Sequence, residues 1–482
     1  MIDLRPVGYV VGLMVAMLGV AMLAPMVMDI VDGQGHWPVF AESALFTTLV
    51  GGLVALACQS GNQQGLSLQQ TFMLTTGVWL ALPIFGALPF MLGATEARFV
   101  DAFFEAMSGL TTTGSTVLSG LETLPRGLLL WRGILQWLGG IGIIVVAMVF
   151  LPELRVGGMQ IFRSEGFDTM GKILPRATQI SAQISSIYIF LTAACVVVYL
   201  IFGMSFFDAL VHAFTTVSTG GFSNYDASFG TFSGPLEYVA TIFMFLAALP
   251  FVRYVQMVNG ASGPLFKDSQ VRAFLATILV LVVLSTVLLT STFAYHPEKG
   301  FREALFNITS IISGTGYASA DYMTWGSSLI AMFFFIGLIG GCAGSTACSI
   351  KIFRYQLLFS AIRVQILKIH APNGVFTPRY AGRAVSEDVL SSVMVFFVFF
   401  VVSLGVLAVL LAMTGLDFLT SVSGAAAAIA NIGPGLGDII GPSGNFGALN
   451  DTAKWLLAIG MLVGRLELLA VFVMLTPQFW RA

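Results

Sequence analysis

The chain has 482 residues, of which 57% are hydrophobic and only 10% charged, with 22 Lys and Arg against 24 Asp and Glu. A soluble domain of average usage carries about 25% charged residues, so the composition argues against a soluble enzyme or a disordered scaffold. A net charge of -2 leaves no basic field for nucleic acid. With a mean hydropathy of +0.91, the chain reads as a multi-pass membrane protein. Cys58, Cys195, Cys342 and Cys348 are too scattered for a disulfide framework or a zinc site, and no cofactor of the chain's own is expected.

A spanning helix needs about 20 mostly apolar residues. Ten stretches qualify: 7–30, 38–59, 70–93, 128–150, 180–204, 236–259, 271–294, 327–350, 388–414 and 453–476. With the N-terminus inside, fifteen Lys and Arg fall on the inner side and six on the outer, which places both ends in the cytoplasm. The longest inner loop, 351–387, is below the size of an ordinary domain, so nucleotide sensing would need a second polypeptide. The inner basic residues Arg155, Arg163, Lys172 and Arg176, with those of 351–383, follow the positive-inside rule or contact an acidic partner.

Four outer segments are too apolar for solvated loops: DAFFEAMSGLTTTGST (101–116), DALVHAFTTVSTGGFS (208–223), EALFNITSIISGTGYAS (303–319) and DFLTSVSGAAAAIANIGPGLG (417–437). Each begins with an acid, continues for 10–13 apolar or small residues and ends in a polar run containing glycine. Such a piece is too short to span and reads as a re-entrant helix, followed by extended backbone that must face protein or a water-filled cavity. Lining up one glycine per copy selects Gly114, Gly220, Gly316 and Gly433. The leading acids Asp101, Asp208, Glu303 and Asp417 are read as caps or dipole complements at the helix starts, with an outer cation-attracting ring as the alternative. A cation losing its water needs protein oxygens, and backbone carbonyls supply them without fixed charge. Hydroxyls of Thr112, Thr113, Ser218, Thr219 and Thr315 add to that set.

The runs TTTGST, TTVSTGGFS, SGTGY and ANIGPGLG resemble the four filter signatures of the Trk/Ktr/HKT superfamily of potassium transporters, most closely its TrkH branch. The likeness covers nearly the whole chain. It implies an all-α polytopic membrane protein of about ten transmembrane helices plus four re-entrant pore helices. They form four potassium-channel-like repeats (span, pore helix, filter, span) with pseudo-fourfold symmetry. The implied division is a two-span extension at 1–66 and repeats at 67–165, 166–262, 263–370 and 371–482. The implied potassium-binding filter is Thr112, Thr113, Gly114, Ser218, Thr219, Gly220, Gly314, Thr315, Gly316, Asn431, Ile432 and Gly433, with glycine at every aligned position favouring potassium over sodium. The resemblance further implies a homodimer, a cytosolic TrkA-type nucleotide-binding subunit and a bacterial cytoplasmic (inner) membrane location. Whether such proteins act as channels or as ion-coupled symporters stays open.

Two intramembrane features stand apart. The run GLIGGCAGSTACS (337–349) is either a helix-packing face, through Gly337/Gly341 and Gly340/Gly344, or a break in span 8 that gates the pore through Gly340, Gly341, Gly344, Ser345 and Thr346. Arg465, near the middle of span 10, is costly at the bilayer centre. It acts on the pore's electrostatics below the filter, or bonds another helix or the loop carbonyls. A secondary transporter for an organic solute would need inverted repeats, which the four same-sense copies lack. An intramembrane enzyme lacks any HExxH, GxSxG or paired-aspartate motif.

Overall fold

The computed structural model describes residues 3–33, 35–61, 66–146, 158–159 and 177–481. Seven helices among them are long and apolar enough to cross a membrane: Arg5–Val31, Trp37–Cys58, Leu68–Leu92, Arg126–Val145, Ser181–Ile201, Ser269–Thr292 and Glu387–Met413. Spans 1–5, 7 and 9 therefore form where hydropathy places them. Residues 147–150 of span 4 and the basic residues Arg155, Arg163, Lys172 and Arg176 lie outside the described residues.

Spans 6, 8 and 10 are broken. Span 6 divides into Pro235–Ala247 and Phe251–Val258, bent by 89°. Pro250 at the bend has no amide hydrogen and cannot continue the helical ladder. Span 8 is helical only over Ser327–Gly337, and a second helix starts at Ile352 and runs to His370. Span 10 is helical over Asp451–Arg465 and again over Leu469–Met474. Between them Glu467 and Leu468 hold φ values of 59° and 50°, left-handed angles that no α-helix continues through. Hydropathy, which scores side chains and ignores backbone hydrogen bonds, cannot register such interruptions.

Four short helices stand between the spans: Phe99–Leu110, Phe206–Val217, Pro297–Ser313 and Phe418–Ala430, here short helices 1 to 4. The last nine residues of the first are all buried, as is Ser423–Ala430 of the fourth. Each packs on the span that follows or precedes it, so the four form the centre of the molecule. The N-terminal pair is added outside this centre. Arg5–Ala21 crosses Trp37–Cys58 so closely that a Cβ on Gly12 would lie 2.6 Å from the Ala55 nitrogen, a small-residue contact that lets two backbones touch. Buried Asp29 accepts from the Gly127 amide at 2.7 Å and pairs with His36 at 2.8 Å, tying the extension to span 4.

Candidate functional site

Each short helix ends by turning its chain into a glycine segment. The turn begins on a left-handed residue: Thr112 (φ 51°), Thr219 (φ 52°), Gly314 (φ 81°) and Asn431 (φ 51°). Two residues later Gly114 (φ 88°), Gly221 (φ 78°) and Gly316 (φ 79°) repeat the left-handed angle, and Gly433 stands at the matching place in the fourth copy. Alternating angles of this kind bring successive carbonyls toward one side. A β-branched residue with positive φ is an outlier held in place by its surroundings, at about 1–3 kcal/mol. Thr112 and Thr219 are fully buried, so the strain sits inside the packed interior.

This backbone pattern corrects the alignment. The counterpart of Gly114 is Gly221, one residue past Gly220. The Thr113, Gly220 and Ile432 amides each donate five residues back, to Ser108, Thr215 and Ala427, which equates those three positions. With Gly221 in register, Asp101, Asp208 and Glu303 each stand 13 residues before their glycine. The earlier position of Asp417 has a structural cause: it is the N-cap itself and accepts from the Thr420 amide at 3.1 Å. The Thr420 hydroxyl and that amide bond hold the Asp417 carboxyl below its ordinary range. Asp101 and Asp208 lie in the first helical turn, as a dipole complement would. Glu303 does not, because short helix 3 starts earlier, at Pro297, and leaves Glu303 well inside it with Lys299 at 3.7 Å.

The four glycine segments meet in a closed cycle. A Cβ on Gly114 would strike the Gly220 carbonyl oxygen, and one on Gly221 the Thr315 carbonyl oxygen. One on Gly316 would lie 2.7 Å from the Gly433 nitrogen, and one on Gly433 3.1 Å from the Gly114 carbonyl oxygen. Segment 1 touches 2, 2 touches 3, 3 touches 4, and 4 touches 1. At Gly114, Gly221 and Gly316 a side chain would push its neighbour off the ring, and at Gly433 it would crowd Gly114. An open cavity of about 770 Å³ rises from the ring, lined by Gly114, Gly221, Gly316 and Gly433 with Tyr225 and Asn445 above them. Gly220 does not line it.

The hydroxyls act as anchors more than as ring atoms. Thr113 shares a hydrogen bond with Thr111 at 2.7 Å, and Thr315 with Ser313 at 2.8 Å. Asn431 donates to the Thr113 hydroxyl at 3.0 Å and to the Met461 carbonyl at 2.9 Å. Ser218 and Thr219 bond carbonyls of their own segment. Among the described residues no group of three or more His, Cys, Asp or Glu side chains could hold a metal ion, and the oxygens at the segment contacts are the Gly220, Thr315 and Gly114 carbonyls.

Directly beyond the ring, on the side away from that cavity, lies the break in span 8. Residues 338–351 leave the helix, cross under the segments and return, with Ile339–Gly340 pairing Ile350–Lys351. The run is therefore not a helical packing face. Gly340, Gly341, Gly344, Ser345 and Thr346 are all buried in this loop, whereas Gly337 belongs to the helix before it. The loop fills the break in span 6. Cys342 donates its amide to the Ala248 carbonyl at 3.0 Å, Thr346 its hydroxyl to Ala247 at 3.0 Å, and Phe251 its amide to Gly344 at 2.9 Å. Each break supplies the partners that the other lacks.

Cys348 brings the loop against the glycine segments. A Cβ on Gly314 would stand 3.1 Å from the Cys348 amide, and the Thr112 hydroxyl is 3.7 Å from its sulfur. Arg465 donates to that sulfur and, at 3.3 Å, to the Gly139 carbonyl. Buried arginine thus joins span 10, the loop and span 4 beneath the segments. Glu467 pairs with fully buried Arg354, whose guanidinium stacks 3.7 Å from the Phe396 ring centre. Sequence reading missed the Arg354–Glu467 pair and the hydrogen bond that the buried Gln136 side-chain amide of span 4 donates to the Gly220 carbonyl at 2.7 Å, because both partners of each are remote in the chain.

The family model described as TrkH, cation transport protein, matches residues 36–481. The Trk system potassium uptake protein TrkI of Halomonas elongata is 45% identical over 86% of this chain and 84% of that protein. The TrkH protein of Vibrio parahaemolyticus is 36% identical, covering 99% of both chains. The crystal structure of the potassium transporter TrkH from Vibrio parahaemolyticus superposes with a TM-score of 0.91 at 33% identity, over all of both chains.

Proposed function

The chain belongs to the TrkH family of cation transport proteins, and from that premise we propose that it takes up potassium across the bacterial inner membrane through the ring of glycine segments. The observation that carries the reading is the closed cycle of Gly114, Gly221, Gly316 and Gly433 at the floor of an open cavity. An ion entering the cavity exchanges water for backbone carbonyls, which balance its charge without a carboxylate that would hold it. Inside-negative potential contributes about 2.3 kcal/mol per charge per 100 mV, enough to accumulate potassium with no chemistry in the chain. Potassium is cargo, and the chain uses no cofactor of its own. The four repeats, 67–165, 166–262, 263–370 and 371–482, follow the extension 1–66, with both termini cytoplasmic.

The 338–351 loop is the gate in this reading. It lies across the path beneath the ring, and Arg465 holds it there while placing positive charge below the ions. Opening requires the loop to leave Cys348's place under Gly314 and Thr112. A cytosolic nucleotide-binding subunit of TrkA type drives that motion, and the assembly is a homodimer. Family membership supports both statements.

The test is potassium-dependent growth of a bacterial strain lacking its own potassium uptake, together with reversal potentials of the purified chain in liposomes under opposed K⁺ and Na⁺. Rescue of growth and a K⁺-selective potential are expected. Purified chain that folds and passes neither ion, with or without its partner, would remove the reading.

A further inference from the structure

Segments 1, 3 and 4 each have a side-chain anchor within their own unit, and Asn431 and Ser115 also link segments 4 and 1. Thr111 holds Thr113, Ser310 donates to the Tyr317 carbonyl at 2.7 Å, and Ser423 donates to the Leu436 carbonyl at 3.2 Å. Segment 2 is held from the neighbouring unit. Gln136 of span 4, fully buried, donates through Nε2 to the Gly220 carbonyl at 2.7 Å and accepts the Phe222 amide on Oε1 at 3.0 Å. One amide side chain therefore clasps two backbone groups that flank the left-handed Gly221. One helical turn away on the same face, Arg132 donates to the Ser223 carbonyl at 2.7 Å and stacks 4.1 Å from the Phe222 ring.

The clasp accounts for the glycine pair. Gly221 is glycine for its positive φ and its contact with Thr315. Gly220 is glycine because a Cβ there would strike the Gln136 amide. At the ring level of Thr113, Gly220, Thr315 and Ile432, the Gly220 carbonyl shares its electrons with Gln136. Among the described residues no hydrogen bond reaches the other three carbonyls of that level. The level is unequal by construction.

We propose that Gln136 is a specificity-determining positioning residue, which fixes the second filter segment by clasping the Gly220 carbonyl and the Phe222 amide. Freed of the clasp, segment 2 keeps its glycines and loses its fixed distance from segments 1 and 3, so the ring adjusts around a smaller ion. The inference rests on the potassium reading above, and the experiment separates the two.

Gln136→Leu removes both bonds. Gln136→Glu keeps size and the acceptor for Phe222 while replacing the donor to Gly220 with a repelling oxygen. Each is measured in liposomes under opposed K⁺ and Na⁺, with folding checked by elution at the wild-type position. At least a fivefold fall in the K⁺ to Na⁺ permeability ratio is expected in both. A merely structural role would lower total flux and leave the ratio alone. An unchanged ratio in a folded, conducting Gln136→Glu protein overturns the proposal, as does failure of both variants to fold, since the clasp would then serve assembly alone. Wild-type protein without K⁺ flux would instead sink the transport reading.

Discussion

The ring and the breaks beneath it are built on opposite rules. In the ring, four segments share one backbone pattern, a left-handed residue followed two positions later by glycine, and they close on one another. Beneath it, three spans are broken in three ways: by proline at Pro250, by a glycine-rich loop at 338–351, and by two left-handed residues at Glu467 and Leu468. On the proposed reading, repetition gives a dehydrated ion oxygens on all sides. Non-repetition puts one loop from one unit under the axis, where four equal loops would collide. On the proposed reading, selection wants equivalence among the units, whereas closing the path wants one unit to differ.

Substitutions can break this contrast. The largest effect belongs to the ring. Gly221→Ala puts a methyl group against the Thr315 carbonyl at a positive φ, and Gly316→Ser does the same against Gly433. Either should lower the K⁺ to Na⁺ permeability ratio at least tenfold, read as a shift in reversal potential. Equal ratios would show that the cycle of contacts does not set selectivity.

A lesser effect is expected below. Arg465→Ala frees the sulfur of Cys348 and the Gly139 carbonyl. Basal ion flux should rise several-fold with the K⁺ to Na⁺ ratio unchanged. A changed ratio without a rise would move Arg465 from the loop's restraint to the ring. Glu467→Leu sharpens the account of the third break. It removes the Glu467 carboxylate from buried Arg354, and breaking a buried pair costs about 3–5 kcal/mol, visible as a lower thermal midpoint in detergent. An unaltered midpoint would show that other groups carry that charge. The smallest effect is Asp417→Ala, which removes a helix cap worth about 1 kcal/mol and should leave selectivity untouched.

How far the sequence could be read differs between the same two regions. The four segments were legible because each is a local unit: an apolar run too short to span, followed by glycine and hydroxyl residues. The span-8 loop was legible for a similar reason, being rich in Gly, Ser and Thr within an apolar stretch. The register of segment 2 was not, since the pair Gly220–Gly221 offers two alignments and only backbone angles distinguish them. Pro250 was a signal for the bend in span 6, outweighed by the hydropathy around it. Nothing near Glu467 marks the break in span 10, because its partner Arg354 lies 113 residues earlier.

The chain alone determined which stretches prefer lipid, where four short helices turn back, and that glycine and uncharged oxygen gather at their ends. These are properties of neighbouring residues, written in hydrophobicity and in the freedom of glycine. Tertiary structure decided which glycine faces the ring, which spans break, and which remote groups satisfy the exposed backbone: Gln136 for Gly220, the 338–351 loop for Pro250's bend, Arg354 for Glu467. In an apolar interior every polar group needs a partner, and that partner is chosen by packing across the fold.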